Sequence, residues 1–191
     1  MLRLFIALPL PPEVETELGR LLDLLRPIGP EVKWVPAKNI HLTVKFLGDT
    51  EEKLVEKIAS AIDQVAPAYQ PFESVIDRVG GFPNLRRPRV IWVGGSEPIE
   101  DAVKMAHDVD LRMRQLRFEK EKRAFKAHLT LGRVRQGRRV EDLAAYLESF
   151  KLPPIPLKLD RLVLFKSTLT PGGAIYDRLH EAMLGQQRFD G

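Results

Sequence analysis

The chain carries one short pattern twice: a histidine, an apolar residue, a threonine and another apolar residue. It stands at His41-Leu42-Thr43-Val44 and again at His128-Leu129-Thr130-Leu131. Both copies sit in runs that read as strands, NIHLTVKFLG from Asn39 and AHLTLGRVR from Ala127. Successive side chains of a strand point to opposite faces. His41 and Thr43 therefore share a face, with Leu42, Val44 and Phe46 on the other. His128 and Thr130 likewise share a face, opposite Leu129 and Leu131. Each strand is read as burying its aliphatic side and presenting an imidazole beside a hydroxyl. With four His and six Thr in 191 residues, chance gives two such matches in fewer than about 1% of chains of this composition. One copy alone would read as a half-buried His bonded to its neighbours. Two copies, one in each half, point to an internal duplication and a paired site. His107, mid-helix among charges, reads as surface, and His180 is assigned no role.

The rest of the chain alternates helical and strand patterns without a low-complexity linker. Arg3 to Leu8 is an apolar strand. Pro11 to Leu25 has helical spacing, with Val14, Leu18, Leu21, Leu22 and Leu25 on one face. It ends at Arg26-Pro27-Ile28-Gly29-Pro30, a breaker. Val32 to Val35 and Ile40 to Leu47 read as strands, and Gly48-Asp49-Thr50 then opens a helix over 53–65 with Thr50 as N-cap. Phe72 to Val79 alternates weakly, Gly80-Gly81-Phe82-Pro83 turns, and Val90 to Val93 is a short strand. A helix over 99–116, with acidic start and basic end, suits the helix dipole. Strands at 127–134, 157–165 and 174–182 and a helix over 140–150 complete the chain. Several connections are too short for parallel crossovers, so the fold class is α+β with largely antiparallel sheets, in a single domain over 1–191.

Zero Cys excludes disulfides, thiol chemistry and Cys-based zinc sites. No stretch is long and apolar enough for a membrane helix, and the N-terminal run lacks a basic region with a cleavage site. A soluble, cytoplasmic monomer with no membrane partner is expected. The net charge of +4 is mild, but from Arg112 to Arg139 eleven Lys or Arg face only Glu119 and Glu121. Such a segment attracts polyanions, RNA above all, and the second His-x-Thr lies inside it.

These residues resemble the two-histidine (2H) phosphoesterase superfamily, marked by a duplicated H-x-T-x with apolar x. Within it the chain is similar to bacterial and archaeal RNA 2′,3′-cyclic phosphodiesterases, long labelled 2′-5′ RNA ligases. The resemblance extends to RLFIALPLP, to KWVPAKNIHLTVKFLGD with Trp34 and Pro36, to GGFPNLRRPRVIWVG and to LFKSTLTPGGAIYDRL. Ala127 departs from it, since the family often has Pro before the second His. The resemblance implies a bilobal fold of two pseudo-twofold-related βα lobes, with antiparallel sheets flanking a central cleft where the two H-x-T strands meet.

It also implies hydrolysis of RNA 2′,3′-cyclic phosphate ends to 2′-phosphomonoesters, without metal or cofactor. His41 would be the general acid that protonates the 3′ oxygen and His128 the general base. From the motifs alone the two His are interchangeable. Imidazole titrates near neutrality and suits either role. Thr43 and Thr130 hydroxyls suit phosphoryl oxygens, as donors that do not compete for protons. Arg133 could add charge to the phosphate, but alternation puts it on the opposite face unless the strand bends at Gly132. Lys45 shares the His41 face and reads as an exposed rim residue. The expected partners are RNA with a cyclic phosphate end, tRNA fragments or cyclic nucleotides. Three rivals stand beside this reading. A two-His metal hydrolase lacks a third ligand and an H-E-x-x-H. A 2′-5′ RNA ligase would run the same site backwards. A non-catalytic RNA-binding module would use the basic segment alone, without the paired aromatic strands of an RRM.

Overall fold

The structure, a computed structural model, describes residues 1–186. In chain order the elements are β1 (Leu2–Pro9), α1 (Pro12–Leu25), β2 (Val32–Trp34), β3 (His41–Thr50), α2 (Val55–Val65), β4 (Phe72–Ile76), β5 (Arg78–Phe82), β6 (Val90–Gly94), α3 (Glu100–Gln115), β7 (Leu129–Val134), α4 (Glu141–Ser149), β8 (Ile155–Leu159), β9 (Arg161–Thr170) and β10 (Gly173–Met183). Every strand pairing is antiparallel. The main sheet runs β10-β9-β1-β3-β7-β6-β5, with β2 also on β7, and β4 and β8 form a separate ribbon. A single residue pair, Leu42 with Leu129, joins β3 to β7. That seam leaves four strands on each side and a repeat motif on each of its lips. The sheet halves are not the sequence halves. β9 returns to flank β1, with β10 outside it, while β2 crosses to β7.

One face of the sheet carries the main core. Leu4, Ile6, Leu8, Leu42, Ile91, Leu129 and Leu131 pack there against Leu18, Leu22 and Leu25 of α1, Ile58 and Ile62 of α2, and Met105 and Met113 of α3. Burying a side chain of this size stabilises the fold by roughly 1.5–3 kcal/mol. On the opposite face Phe5, Ala7, Val163 and Phe165 form a smaller cluster with Tyr176 against it. β1 is thus buried on both faces from Leu4 onward, which is why LFIALPL is continuously apolar rather than alternating.

Four local expectations are corrected. Thr50 caps no helix. It ends β3, paired with Leu2, and its hydroxyl donates to the Gly48 carbonyl at 3.1 Å. A 3₁₀ turn at Glu52–Leu54 leads into α2 instead. The run from Phe72 divides into β4 and β5, which belong to different sheets. The run from Leu157 divides likewise at Asp160 into β8 and β9. Gly80, Gly81 and Phe82 are strand, not turn: a Cβ on Gly80 would lie 2.1 Å from the Trp92 ring, so the glycine exists to admit that indole. No helix among the described residues is long and apolar enough to cross a membrane.

Candidate active site

Both motif strands carry a bulge at the same offset. Along β1, Ala7 pairs with Thr43 but Ile6 pairs with Lys45. Along β6, Trp92 pairs with Thr130 but Ile91 pairs with Gly132. One extra residue follows each threonine, so the third and fourth residues after each His both turn toward the helices. The fifth returns to the His face. Phe46 and Arg133 occupy that fifth position.

Two sequence expectations change as a result. Phe46 is not on the buried face; it is 65% exposed and its ring lies 6.0 Å from Phe5. Lys45 is not a rim residue on the His41 face. Its Nζ is buried, donating to Asp110 Oδ1 of α3 at 2.6 Å and to the Glu119 carbonyl at 2.9 Å. Asp110 Oδ1 also accepts from the Glu121 N–H at 3.0 Å. Burial alone would raise the Asp110 carboxyl, but the Lys45 ammonium and the Glu121 N–H outweigh it and hold it below the usual carboxylate range. The first motif strand therefore ties down the coil that leads into the second motif. Alternation gave no sign of this; the only available signal was a lysine inside an apolar run. For Arg133 the required bend exists, and it is the bulge at Leu131-Gly132. A Cβ on Gly132 would strike Val32 at 2.5 Å, so that position tolerates no side chain.

The two imidazoles are oriented identically. His41 Nδ1 donates to the Asn39 carbonyl at 2.8 Å, and His128 Nδ1 donates to the Lys126 carbonyl at 2.7 Å. A carbonyl only accepts, so the proton sits on Nδ1 and each Nε2 is left available. The antiparallel pair Leu42–Leu129 sets His41 on the Thr130 side of the seam and His128 on the Thr43 side. Diagonal neighbours across such a pair lie roughly 7–8 Å apart in a regular ladder. Neither threonine hydroxyl has a protein hydrogen-bond partner among the described residues. Each imidazole also borders its own hollow of about 240 Å³, one lined by His41, Lys38, Tyr176 and Arg178, the other by His128, Phe125, Ser74 and Ile99.

Their surroundings differ. His41 stacks on Phe5, centroids 4.7 Å apart, with the Tyr176 ring edge-on at 5.4 Å. That burial lowers its pKa to about 4, against the raising effect of the Asn39 hydrogen bond. His128 meets Phe82 at 5.0 Å and Trp92 at 6.3 Å, both near-perpendicular. Burial raises the Tyr176 hydroxyl above its ordinary value, and the charges of Arg133 and Arg3 offset only part of that rise. Arg133 is thus felt at the His41 end of the seam. The remaining histidines stand apart: His107 is exposed on α3, and His180 of β10 bonds Asp63 of α2 at 2.8 Å. Among the described residues no three His, Asp or Glu side chains gather to hold a metal ion.

This arrangement matches known proteins along most of its length. The family model of LigT-like phosphoesterases matches twice, over residues 8–92 and 93–176, so each repeat contains one H-x-T strand. An RNA 2′,3′-cyclic phosphodiesterase of Archaeoglobus fulgidus is 34% identical over 93% of this chain and 98% of its own. One of Methanothermobacter thermautotrophicus is 32% identical over 91% of this chain and 94% of its own. Among solved structures, TT0787 of Thermus thermophilus is similar with TM-score 0.75 and 27% identity, over 96% of this chain and 98% of that one. Escherichia coli LigT complexed with 3′-AMP shares the fold at TM-score 0.76 and 23% identity, over 97% and 99% of the two chains. The chain belongs to the LigT-like phosphoesterase family of the 2H superfamily, with one family unit on each side of residue 92.

Proposed function

We propose that this chain hydrolyses RNA ends carrying a 2′,3′-cyclic phosphate to 2′-phosphomonoesters, by acid–base catalysis at His41 and His128 without a metal ion. The observation that carries the reading is the pair of imidazoles, each fixed through Nδ1 to the carbonyl two residues before it, on strands joined at Leu42–Leu129. The names of the relatives support it. Water attacks phosphorus while the bond from phosphorus to the 3′ oxygen breaks. One imidazole accepts the proton that water loses, and the other supplies the proton that the 3′ oxygen gains. Thr43 and Thr130 donate to the non-bridging oxygens, and Arg133 offsets their charge.

The resemblance makes His41 the donor and His128 the acceptor. Burial works against that assignment in the free protein, where a His41 pKa of about 4 leaves the ring neutral at pH 7. The donor role requires the anionic substrate to bring His41 its proton, since a nearby negative charge favours imidazolium. The pH profile separates the cases, because kcat/KM reports groups of the free protein and kcat those of the complex. A donor His41 gives a descending limb near pH 4 in kcat/KM and well above it in kcat.

The test is product analysis on 2′,3′-cyclic AMP and on a short RNA bearing that end. The expected product is the 2′-phosphate alone, at a rate that EDTA does not change and that His41→Ala or His128→Ala nearly abolishes. Full activity in either variant overturns the reading.

A further inference from the structure

β2 contributes only three residues, and its middle one, Lys33, pairs directly with Arg133 of β7. Val32 is buried, and Trp34 turns back to the core side, its Nε1 donating to the Gly29 carbonyl at 3.0 Å. Alternation therefore sends Lys33 to the opposite face, the one to which the bulge has returned Arg133. Both side chains are exposed, and neither forms an ion pair with a carboxylate among the described residues. Two cations directly opposed on adjacent strands repel and destabilise the sheet. An anion held between them would remove that repulsion.

The location says which anion. Arg133 lies three residues past Thr130 with the bulge between, so the pair stands roughly 7–10 Å along β7 from the motif threonine. That is on the order of one nucleotide along a strand. The basic path continues beyond it: the Val134 N–H bonds the Arg89 carbonyl, and Arg89 and Arg135 are both exposed.

We propose that Lys33 seats a second phosphate, with Arg133 shared between it and the cyclic one: the phosphodiester that precedes the terminal nucleotide of an RNA strand whose cyclic end occupies the His/Thr face. The inference rests on the phosphodiesterase reading and adds to it that oligonucleotide ends are preferred over free cyclic mononucleotides, which carry no second phosphate. Lys33 acts in binding and has no part in proton transfer.

The test compares kcat/KM on a tetraadenylate ending in a 2′,3′-cyclic phosphate with kcat/KM on 2′,3′-cyclic AMP. Lys33→Gln should lower the ratio of the two about tenfold, the scale of one charge-assisted hydrogen bond, and Lys33→Arg should restore it. A tetraadenylate with an uncharged methylphosphonate at the last linkage should cost the unaltered protein the same factor and cost Lys33→Gln nothing further. The thermal midpoint of Lys33→Gln, an exposed change, should match that of the unaltered protein. Hydrolysis of both substrates with a ratio indifferent to Lys33→Gln, or a methylphosphonate loss that is equal in both proteins, overturns this inference and leaves the phosphodiesterase reading standing. Hydrolysis of neither substrate by the unaltered protein overturns both.

Discussion

β3 and β7 carry the same four residues and the same bulge, yet their histidines occupy different surroundings. His41 begins a ten-residue strand, follows a 3₁₀ turn at Ala37–Asn39, and is covered by Phe5 and Tyr176. His128 follows a coil and meets Phe82 and Trp92 at steep interplanar angles, with no ring stacked on it among the described residues. Five residues on, the equivalent positions hold Phe46 and Arg133, an exposed ring and a cation on one shared face. Duplication has preserved the backbone device and changed what surrounds it. A motif match therefore locates the two histidines without distinguishing them; their burial and neighbouring rings do.

The largest expected effect tests the equivalence itself. General acid and general base catalysis are each worth about 10²–10⁴ in rate. His41→Ala and His128→Ala should therefore each lower kcat on 2′,3′-cyclic AMP by about 10³-fold, despite their different burial. A loss confined to one variant, measured by initial rates, would mean that only one half of the duplication is catalytic.

Next in size is the tether between the halves. Lys45 and Asp110 are buried together, with side chains 4% and 11% exposed. Removing one member of such a pair leaves an uncompensated buried charge, costing about 3–5 kcal/mol. Lys45→Met should destabilise by that order in urea unfolding. Combining Lys45→Met with Asp110→Leu removes both charges and should recover much of it. Both variants also lose the Nζ bond to the Glu119 carbonyl. The stability-recovered double variant should therefore still admit trypsin to the lysines and arginines of 120–126, which precede His128 and not His41.

How much of this was legible beforehand follows from which interactions are local. The 3.6-residue spacing of Val14, Leu18, Leu21, Leu22 and Leu25 located α1 to within one residue, because a helix is closed by its own backbone. His41, Thr43, His128 and Thr130 were visible because the pattern recurs. The bulges were not, since an extra residue is defined only against the partner strand. Strict alternation therefore placed Lys45, Phe46 and Arg133 on the wrong faces, with the bend at Gly132 recognised only as a condition. The division at Asp160 was hidden for the same reason: two strands of different sheets can share one unbroken apolar alternation. Thr50 illustrates the third kind of failure. Its cap signal was local and reasonable, but pairing with Leu2 claimed the residue for the sheet.

The half-buried histidine, packed against Phe5 and Tyr176, leaves a trace in stability as well as in rate. With its pKa lowered to about 4 from an ordinary 6.5, native His41 resists a proton that the unfolded chain accepts. Between those two values the unfolded state binds more protons, so stability rises with pH across the window. The contribution is complete above about pH 6.5 and lost as pH falls through about 4, amounting to about 3 kcal/mol. The difference in unfolding free energy between the unaltered protein and His41→Gln should therefore shrink by that amount on acidification from pH 7 to pH 4. A difference independent of pH would show that His41 is hydrated, and with it the contrast between the two halves would fall.

The smallest effect concerns what holds the two accepting carbonyls. Asn39 is fixed at both ends: its N–H bonds the Pro36 carbonyl at 2.8 Å, and its side-chain Nδ2 donates to the Ala174 carbonyl of β10 at 2.8 Å. Lys126, at the same offset from His128, lies in coil with an exposed side chain that makes no hydrogen bond of its own among the described residues. Asn39→Ala removes one bond worth about 1 kcal/mol and loosens the carbonyl that sets the His41 ring. On 2′,3′-cyclic AMP kcat should fall about fivefold with KM little changed, because a misaligned imidazole weakens the transition state and not substrate binding. Lys126→Ala should alter kcat on that substrate by less than about twofold, since only its backbone oxygen reaches His128. Equal losses in the two variants would mean that the second carbonyl is held as firmly as the first, and that the coil before His128 is ordered by more than Lys45 and Asp110.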